Sequence, residues 1–198
     1  SEDDFMTLAV AANGATTLLT RDNAAAAAHF EIEADGNITL DAVADIALES
    51  GADSTNHVTI DHRKFTVSSS TDGNANGDVV YFGGTTSMTT GAIYHYNSSG
   101  NWELADADDN TKSDGLLGVA LGAASDTNGV LLRGMVTIDH DPGDIGDVLY
   151  LTTTAGDCSA TAPSGNGNIV RIIGYQVSHA SNGNIWFNPD STFVEVNA

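Results

Sequence analysis

The segments Gly36-Asn-Ile-Thr-Leu-Asp41 and Ala44-Asp-Ile-Ala-Leu-Glu49 carry the pattern on which the fold prediction depends. In each segment one other residue separates two apolar residues, which places both apolar side chains on the same face of a strand. Such pairs recur from Phe30 to Val67 and begin 7 to 12 residues apart, with turn-forming pairs such as Asp-Gly and Ser-Gly between them. A repeat with this short period is typical of an elongated array of strands.

A single copy of this repeat cannot cover its own apolar side chains. Its short strands form one layer, whereas a stable β-structure buries its apolar face against a second layer. Three copies wrapped around an axis would supply that layer and would pair the strand edges between chains. We therefore predict a trimeric β-shaft over residues 30–70, whose core contains Phe30, Ile32, Ile38, Leu40, Ile46, Leu48, Val58, Ile60, Phe65 and Val67.

The remainder of the chain, residues 77–198, is predicted to form a β-barrel or β-sandwich head with an internal duplication. The segment Gly77-Asp-Val-Val-Tyr-Phe82 matches Gly146-Asp-Val-Leu-Tyr-Leu151, and each is followed by an apolar strand with an embedded glycine, Leu116–Leu121 or Ile172–Val177. Asn-Gly and Asp-Gly turns separate the strands, as expected of such a head. The further predicted strands are Ala92–Tyr96, Trp102–Leu104, Val130–Ile138, Ile185–Phe187 and Phe193–Val196.

Two other segments complete the predicted organisation. Residues 71–76, Thr-Asp-Gly-Asn-Ala-Asn, are predicted to be a hinge between shaft and head. Residues 1–29 are predicted to be a linker or attachment segment, in which the alanine run from Ala24 to Ala28 favours one short helix capped by Asp22 or Asn23. A tightly packed strand is the alternative for this alanine run. The predicted fold class is therefore all-β, with at most this one short helix.

The composition excludes several classes of partner. Six Lys plus Arg stand against 27 Asp plus Glu, which gives a formal net charge of −21 and argues against nucleic acid and anionic membranes. No run approaches the ~18 apolar residues of a membrane span, so we expect no membrane insertion. Salt shortens the Debye length from ~10 Å at 0.1 M to ~3 Å at 1 M, so a saline medium would favour assembly of so acidic a chain. The lone cysteine, Cys158, excludes an internal disulfide.

The chain resembles structural proteins of marine bacteriophages. The segment Ala28-His-Phe-Glu-Ile-Glu-Ala-Asp-Gly-Asn-Ile-Thr-Leu-Asp-Ala and Ala44–Glu49 look like the shaft repeats of tail-fibre proteins. The segments that look like a C-terminal head module are Gly115–Val119, Leu131–Ile138, Gly146–Thr154, Ile172–Tyr175 and Asn188–Val196. They are similar, more loosely, to small β-barrel decoration proteins that cement phage capsids. The resemblance implies a virion component at the particle surface and a homotrimer, and it carries no catalytic residues across.

The candidate sites for metals are few. Asp72-Gly-Asn-Ala-Asn-Gly77 matches the first half of a calcium loop, with Asp72, Asn74 and Asn76 as weak candidate ligands. Because Gly83 stands where the loop needs its bidentate Glu, a plain turn is favoured and no cofactor is expected. The acidic loops Asp106–Asn110 and Asp139–Asp144 favour solvated turns over cation sites, and the histidines form no metal-binding pair.

The expected function is attachment and not catalysis. A glycoside hydrolase needs two carboxylates held in a cleft, and in so acidic a chain the presence of carboxylates carries no information. The interaction candidates for a host surface glycan or protein are the aromatic residues Tyr94, Tyr96, Trp102 and Trp186. For Trp102 and Trp186 a place in the core of the head is the competing interpretation. In the head we also expect Arg133 or Arg171 to be buried in a salt bridge.

We therefore predict a non-enzymatic tail-fibre or appendage component that binds its own copies, other virion proteins and a host surface ligand. Three alternatives remain: a capsid decoration protein, a cellular surface filament subunit, and a glycan-binding module or depolymerase. The position of the chain on the particle would separate the first alternative, a polymer longer than a trimer would favour the second, and cleavage of a host polysaccharide would reveal a depolymerase.

Overall fold

A computed structural model of the chain describes residues 5–12, 14, 16–21, 32, 35, 64–66, 69–178 and 182–197. The protein is nearly all β, which confirms the predicted fold class. The chain divides into two compact units, Ser1–Thr59 and Ile60–Ala198. Among the described residues, no helix has the length and apolar character that a membrane span requires.

The described secondary structure consists of short strands and one short helix. The elements are β1 Phe5–Val10, β2 Thr16–Arg21, β3 Ala75–Val80, β4 Ile93–Tyr96, β5 Trp102–Leu104, β6 Leu117–Ala120, α1 Ser125–Asn128, β7 Val130–Thr137, β8 Val148–Leu151, β9 Cys158–Ser159, β10 Ile169–Val170, β11 Ile172–Ser178, β12 Asn184–Phe187 and β13 Val194–Glu195.

The described part of the first unit contains a β-hairpin. Strands β1 and β2 pair antiparallel, from Phe5 opposite Arg21 to Val10 opposite Thr16. In the connection Gly14 adopts a positive φ of 83°, and its N–H donates to the carbonyl of Ala11 at 2.9 Å. The hairpin lies within the region predicted to be a linker or attachment segment, where no hairpin was predicted. The helix predicted at residues 24–28 lies outside the described residues.

In the second unit, β7 is the central strand of an antiparallel sheet that curls into a half-barrel. One edge of β7 pairs with β3, from Val130 opposite Val80 to Val136 opposite Ala75. The opposite edge is shared by two strands, because β6 pairs with the start of β7 and β12 pairs with its end. The sheet continues from β6 to β4 and β5, and from β12 to β11, β8 and β9. A separate two-stranded sheet joins β10 to β13.

The strands of the curled sheet share the main apolar core. Apolar side chains from alternate positions of the strands fill it, as expected where one face of each strand is buried. Its buried side chains include Ile93, Leu117, Val119, Leu131, Val136, Ile138, Leu149, Leu151, Ile173, Ile185 and Phe187.

A second, smaller core is aromatic. The rings of Phe82, Tyr96 and Trp102 pack with centroids 4.9 to 5.7 Å apart, and the Trp102 indole N–H donates to the Phe82 carbonyl at 2.8 Å. Met88 and Tyr94 are buried in the same cluster, where the Tyr94 hydroxyl accepts a hydrogen bond from the backbone N–H of Thr89 at 2.7 Å. The cluster contains Tyr94 and Tyr96 from β4 and Trp102 from β5. It therefore packs together the β4–β5 hairpin, which forms one wall of the site described below.

The two copies of the duplicated sequence pair differently. In the second copy β8 pairs directly with β11, whereas in the first copy β3 and β6 lie on opposite edges of β7. Strand β3 begins at Ala75, inside the segment predicted to be a hinge, and the N–H of Gly73 donates to the carbonyl of Thr137 at 2.9 Å. The sequence similarity therefore does not produce two equivalent structural halves.

Two of the ten predicted shaft-core residues lie among the described residues. Ile32 is 57% exposed in the single chain. Phe65 is half-buried and contacts the Trp186 ring edge-to-face, with centroids 5.2 Å apart. The other eight, Phe30, Ile38, Leu40, Ile46, Leu48, Val58, Ile60 and Val67, lie outside the described residues, and the trimeric shaft stays a prediction.

Candidate functional site

A polar groove opens beside His95 in the second unit. Its volume is about 710 Å³. Three parts of the chain line it: the β4–β5 hairpin, the loop before β6, and the segment around β13. The lining residues are His95, Tyr96, Asn97, Ser98, Ser99, Glu103, Asn110, Thr111, Asp114, Gly115, Ile169, Phe193 and Glu195. We name this cavity the His95 groove.

The first wall of the His95 groove is a rigid turn between β4 and β5. The side-chain oxygen of Asn97 accepts hydrogen bonds from the backbone N–H groups of Ser99 and Asn101 at 3.0 and 3.1 Å. The backbone N–H of Asn97 donates to the carbonyl of Asn101 at 2.9 Å, which closes the turn. The Asn97 side chain therefore holds the turn in one conformation. Ser98 and Ser99 lie in this turn at the rim of the groove.

His95 forms the floor of the groove and lies between two carboxylates. Its side chain is 5% exposed. The Nε2 atom is 3.1 Å from Oδ1 of Asp114, and Nδ1 is 3.5 Å from Oε1 of Glu103, the residue directly opposite His95 on β5. Nδ1 is buried and makes no hydrogen bond in the described structure, and it faces the Glu103 carboxylate. The His95 ring is therefore held between two carboxylates beneath the groove surface.

Arg171 holds the loop that carries Asp114. Its guanidinium is 4% exposed and donates to three backbone carbonyls, those of Ser113, Gly115 and Asp190, each at 2.8 Å. Burial lowers the pKa of Arg171, and the nearby carboxylates of Asp114 and Asp190 oppose this effect. The prediction that one head arginine is buried therefore holds for Arg171. Its hydrogen-bond partners are carbonyl oxygens and not the carboxylate of a salt bridge, because a five-donor guanidinium can satisfy several loop carbonyls at once.

A second network orders the rim near Asn110 and Thr111. The Asp109 carboxylate accepts hydrogen bonds from the N–H and the hydroxyl of Thr111 at 3.0 and 2.7 Å, and it forms an ion pair with Lys112 at 3.0 Å. The hydrogen bonds from Thr111 and Lys112 lower the pKa of Asp109 to about 2. This loop is therefore charged and ordered at neutral pH.

The structure places the four predicted aromatic interaction residues in different environments. Tyr96 lines the groove, whereas Tyr94 and Trp102 are buried in the aromatic core. Trp186 on β12 is half-buried between Phe65 and the Arg133 guanidinium, whose Cζ is 5.7 Å from the ring centroid. Sequence reasoning did not select Phe193, which is 42% exposed and lines the groove. Its position within the predicted strand Phe193–Val196 was the only available signal.

The three weak calcium candidates lie where a turn leads into β3. The turn is closed by a hydrogen bond from the Asn74 N–H to the Thr71 carbonyl, and the Asp72 carboxylate accepts a hydrogen bond from the Asn182 side chain. Asn76 already lies in β3, opposite Met135, where successive side chains point to opposite faces. A calcium loop instead gathers its oxygen atoms by a continuous turn, so the position of Asn76 in a strand does not match that pattern.

The chemistry of the His95 groove favours a ligand rich in hydroxyl groups. Asn, Ser and Thr side chains at its rim supply donors and acceptors, and the rings of Tyr96 and Phe193 supply apolar contact area. Its charged lining residues, Glu103, Asp114 and Glu195, are all acidic. The groove is therefore suited to a neutral or cationic ligand and repels an anionic one. Comparisons with known protein families, with curated proteins and with solved structures found no match to this chain.

Proposed function

We propose that this chain is a non-enzymatic attachment protein of a virus particle, whose head binds a host surface glycan in the His95 groove. The observation that carries the proposal is the groove, in which a polar rim and two aromatic rings surround a buried histidine held between two carboxylates. A sugar presents hydroxyl groups at its edge and C–H groups on its face. The rim side chains match the hydroxyl groups, and Tyr96 and Phe193 match the C–H face.

The charge of the groove narrows the ligand to neutral or amino sugars. Glu103, Asp114 and Glu195 line it, and the Arg171 guanidinium nearby is engaged by three backbone carbonyls. A sialic or uronic acid would bring its carboxylate close to these groups, and the described residues that line the groove include no Lys or Arg to receive it. Like charges at this distance are unfavourable, and the net charge of −21 adds to the repulsion.

The position of His95 between its two carboxylates supports binding over hydrolysis. Glycoside hydrolysis requires two carboxylates on either side of the scissile bond, about 5–9 Å apart with the sugar between them. Here the imidazole ring of His95 fills the space between Glu103 and Asp114. A sugar can lie over these three groups, but its glycosidic bond cannot enter between the carboxylates.

The virion part of the proposal is supported by the resemblance of the shaft repeats and head segments to phage structural proteins. A homotrimer would present three grooves, and weak contacts at each would add through a high effective concentration. Exposed apolar residues in the head, Tyr175 and Val177 on β11 and Ile145 nearby, provide a surface for contact between copies. Immunogold labelling of particles would separate a tail position from the capsid surface of a decoration protein.

A glycan array carrying neutral, amino and acidic oligosaccharides tests the binding proposal. The full chain should bind neutral or amino glycans and leave acidic ones unbound. Phe193→Ala should weaken that binding about fivefold, because stacking on an aromatic ring is worth about 1 kcal/mol. Tyr81→Ala is the matched control, since Tyr81 is also an exposed aromatic residue, at 62%, but lies outside the groove. Equal loss in both variants, or binding of acidic glycans alone, would contradict the proposal.

Sedimentation equilibrium in high and low salt tests the predicted assembly. A monodisperse trimer near 1 M salt that loosens as salt is removed would support the shaft, because screening then controls the repulsion between acidic chains. A stable monomer in both conditions would contradict it, and a longer polymer would favour the filament alternative.

A further inference from the structure

A second cluster of ligand atoms lies at residues that the His95 groove does not use. Asp139 and His140 follow β7, and Asp157 precedes β9. His140 Nδ1 is 2.8 Å from Oδ1 of Asp139 and 3.8 Å from Oδ1 of Asp157. One nitrogen and two carboxylate oxygens, all within 4.8 Å of one another, therefore converge on a common point.

The two measured separations bracket those between ligand atoms around one small divalent ion. Ligand atoms at about 2.0–2.2 Å from a tetrahedral zinc ion are about 3.3–3.6 Å apart. The observed 2.8 and 3.8 Å lie on either side of that range, so small side-chain rotations would place all three atoms around the ion. All three side chains are partly exposed, which leaves a path for the ion to enter.

The backbone holds both contributing segments in position. The carbonyl of His140 accepts a hydrogen bond from Gly183 N–H at 2.7 Å, and that of Asp157 accepts one from Thr152 N–H at 3.3 Å. The cluster therefore joins two loops that are tied to the sheet independently of the ion. Because both loops are already ordered by these hydrogen bonds, binding an ion costs the chain less conformational entropy.

The second ring nitrogen of His140 has the partner that a metal-binding histidine requires. Nε2 is 3.0 Å from the carbonyl oxygen of Cys158 and 3.2 Å from its backbone nitrogen. Without a cation, the ring can donate from Nδ1 to Asp139 and accept at Nε2 from the Cys158 N–H. With a cation on Nδ1, the ring can donate from Nε2 to the Cys158 carbonyl, the usual outer-shell contact of a metal-bound histidine. Neither state requires the ring to move.

The charges around the cluster favour a cation. The described cationic side chains of the head have contacts elsewhere: Lys112 with Asp109, Arg133 with the Trp186 ring, and Arg171 with three carbonyls. The negative charges of Asp139 and Asp157 are therefore balanced by His140 or by a bound ion.

We propose that Asp139, His140 and Asp157 form a binding site for a divalent transition-metal cation, with zinc as the best match to one imidazole and two carboxylates. Calcium and magnesium, which prefer oxygen ligands alone, match it less well.

Isothermal titration of the metal-free full chain with Zn²⁺ tests this site. We expect one equivalent to bind and the thermal midpoint to rise, because an ion that binds only the folded state stabilises it. Asp157→Asn should weaken zinc binding at least tenfold, and Asp141→Asn, which changes a neighbouring loop carboxylate outside the cluster, should leave it within about twofold. In ¹⁵N spectra Zn²⁺ should shift Nδ1 of His140 and convert Nε2 from an acceptor to a protonated nitrogen.

Three results would overturn the site. The first is the absence of binding heat and of a thermal shift, and the second is wild-type affinity in Asp157→Asn. The third is Ca²⁺ or Mg²⁺ binding as tight as Zn²⁺ binding, which would indicate a diffuse acidic surface. His140→Ala, which removes the only nitrogen ligand, should abolish the spectrum that bound Co²⁺ gives in the wild-type chain. If that variant does not fold, the Asp157→Asn titration still decides the question.

Discussion

Gly77 on β3 lies directly opposite Gly134 on β7, and a Cβ atom on Gly77 would overlap the carbonyl oxygen of Arg133. The two backbones approach each other here more closely than any side chain permits. The β3–β7 register shifts immediately after this pair, between Asp78 and Val79. A glycine pair beside a bulge is a common means of bending a strand. We infer that this pair sets the curl of the sheet whose edge carries the His95 groove.

Gly77→Ala should therefore destabilise the head strongly. The new methyl group would meet backbone atoms on β7 that cannot move without breaking the sheet, so we expect a loss of about 3 kcal/mol or more in the free energy of unfolding. Gly84→Ala is the control, because Gly84 has a positive φ of 59° but no atom within 4 Å of an added Cβ. It should cost about 1 kcal/mol. Urea denaturation of both variants measures the difference, and equal losses would refute the close-approach explanation.

Arg171→Met should be the more damaging of two arginine substitutions. It leaves the carbonyls of Ser113, Gly115 and Asp190 without their donor, and we expect a loss of about 3 kcal/mol or more. Arg133→Met removes an exposed guanidinium that lies over Trp186 and should cost less than about 1 kcal/mol. Chemical denaturation provides both values. Similar losses in the two variants would show that Arg171 does not hold the groove loop.

Acid should disorder the groove rim at an unusually low pH. Because the pKa of Asp109 is lowered to about 2 in the folded chain, its stabilising contacts are complete above the unfolded pKa of about 4 and are lost as the pH falls through about 2. A ¹³C titration of the Asp109 carboxyl should give a midpoint near 2, and Thr111→Val should raise it toward 4. A wild-type midpoint near 4 would contradict the network with Thr111 and Lys112.

Cys158 should react with thiol reagents only when the chain unfolds. Its side chain is buried, and burial, followed by the charges of Asp157 and Asp139, raises the pKa of the thiol. The thiolate that attacks such reagents is therefore rare in the folded protein. Modification by iodoacetamide should follow the global unfolding transition in urea. Rapid modification of the native chain at pH 8 would show that the β8–β9 region opens independently.

Local patterns in the sequence predicted most strands of the head. Trp102–Leu104 was predicted with the bounds that the structure shows, and the predictions for β4, β7 and β12 differ by one residue at an end. These strands combine apolar or β-branched residues with flanking Gly and Asn turns, so local signals are sufficient. The β1–β2 hairpin was not predicted, although Asn13-Gly14 between its strands is a hairpin turn signal.

The groove could not be predicted in the same way. It forms because Phe193 and Glu195 lie beside residues 95–115, almost 100 positions earlier in the chain. Such proximity depends on how β10 pairs with β13 and on Arg171 joining two loops, and neither is visible in a local window. The cluster of Asp139, His140 and Asp157 also depends on a long-range contact, because Asp157 lies beside His140 only in the folded sheet. The local sequence around His140 predicted only an acidic turn.

The most direct test of the attachment proposal is an NMR titration of the full chain, or of residues 60–198 if they fold alone, with a neutral chito-oligosaccharide. Its deacetylated form and an oligogalacturonate serve as the cationic and anionic comparisons. We predict saturable shifts at Tyr96, Asn97, Asp114 and Phe193 with the neutral or cationic sugar, and no saturable shifts with the anionic one. Shifts centred on Tyr175 and Trp186 instead, or stronger binding of the anionic sugar, would contradict a glycan site in the His95 groove.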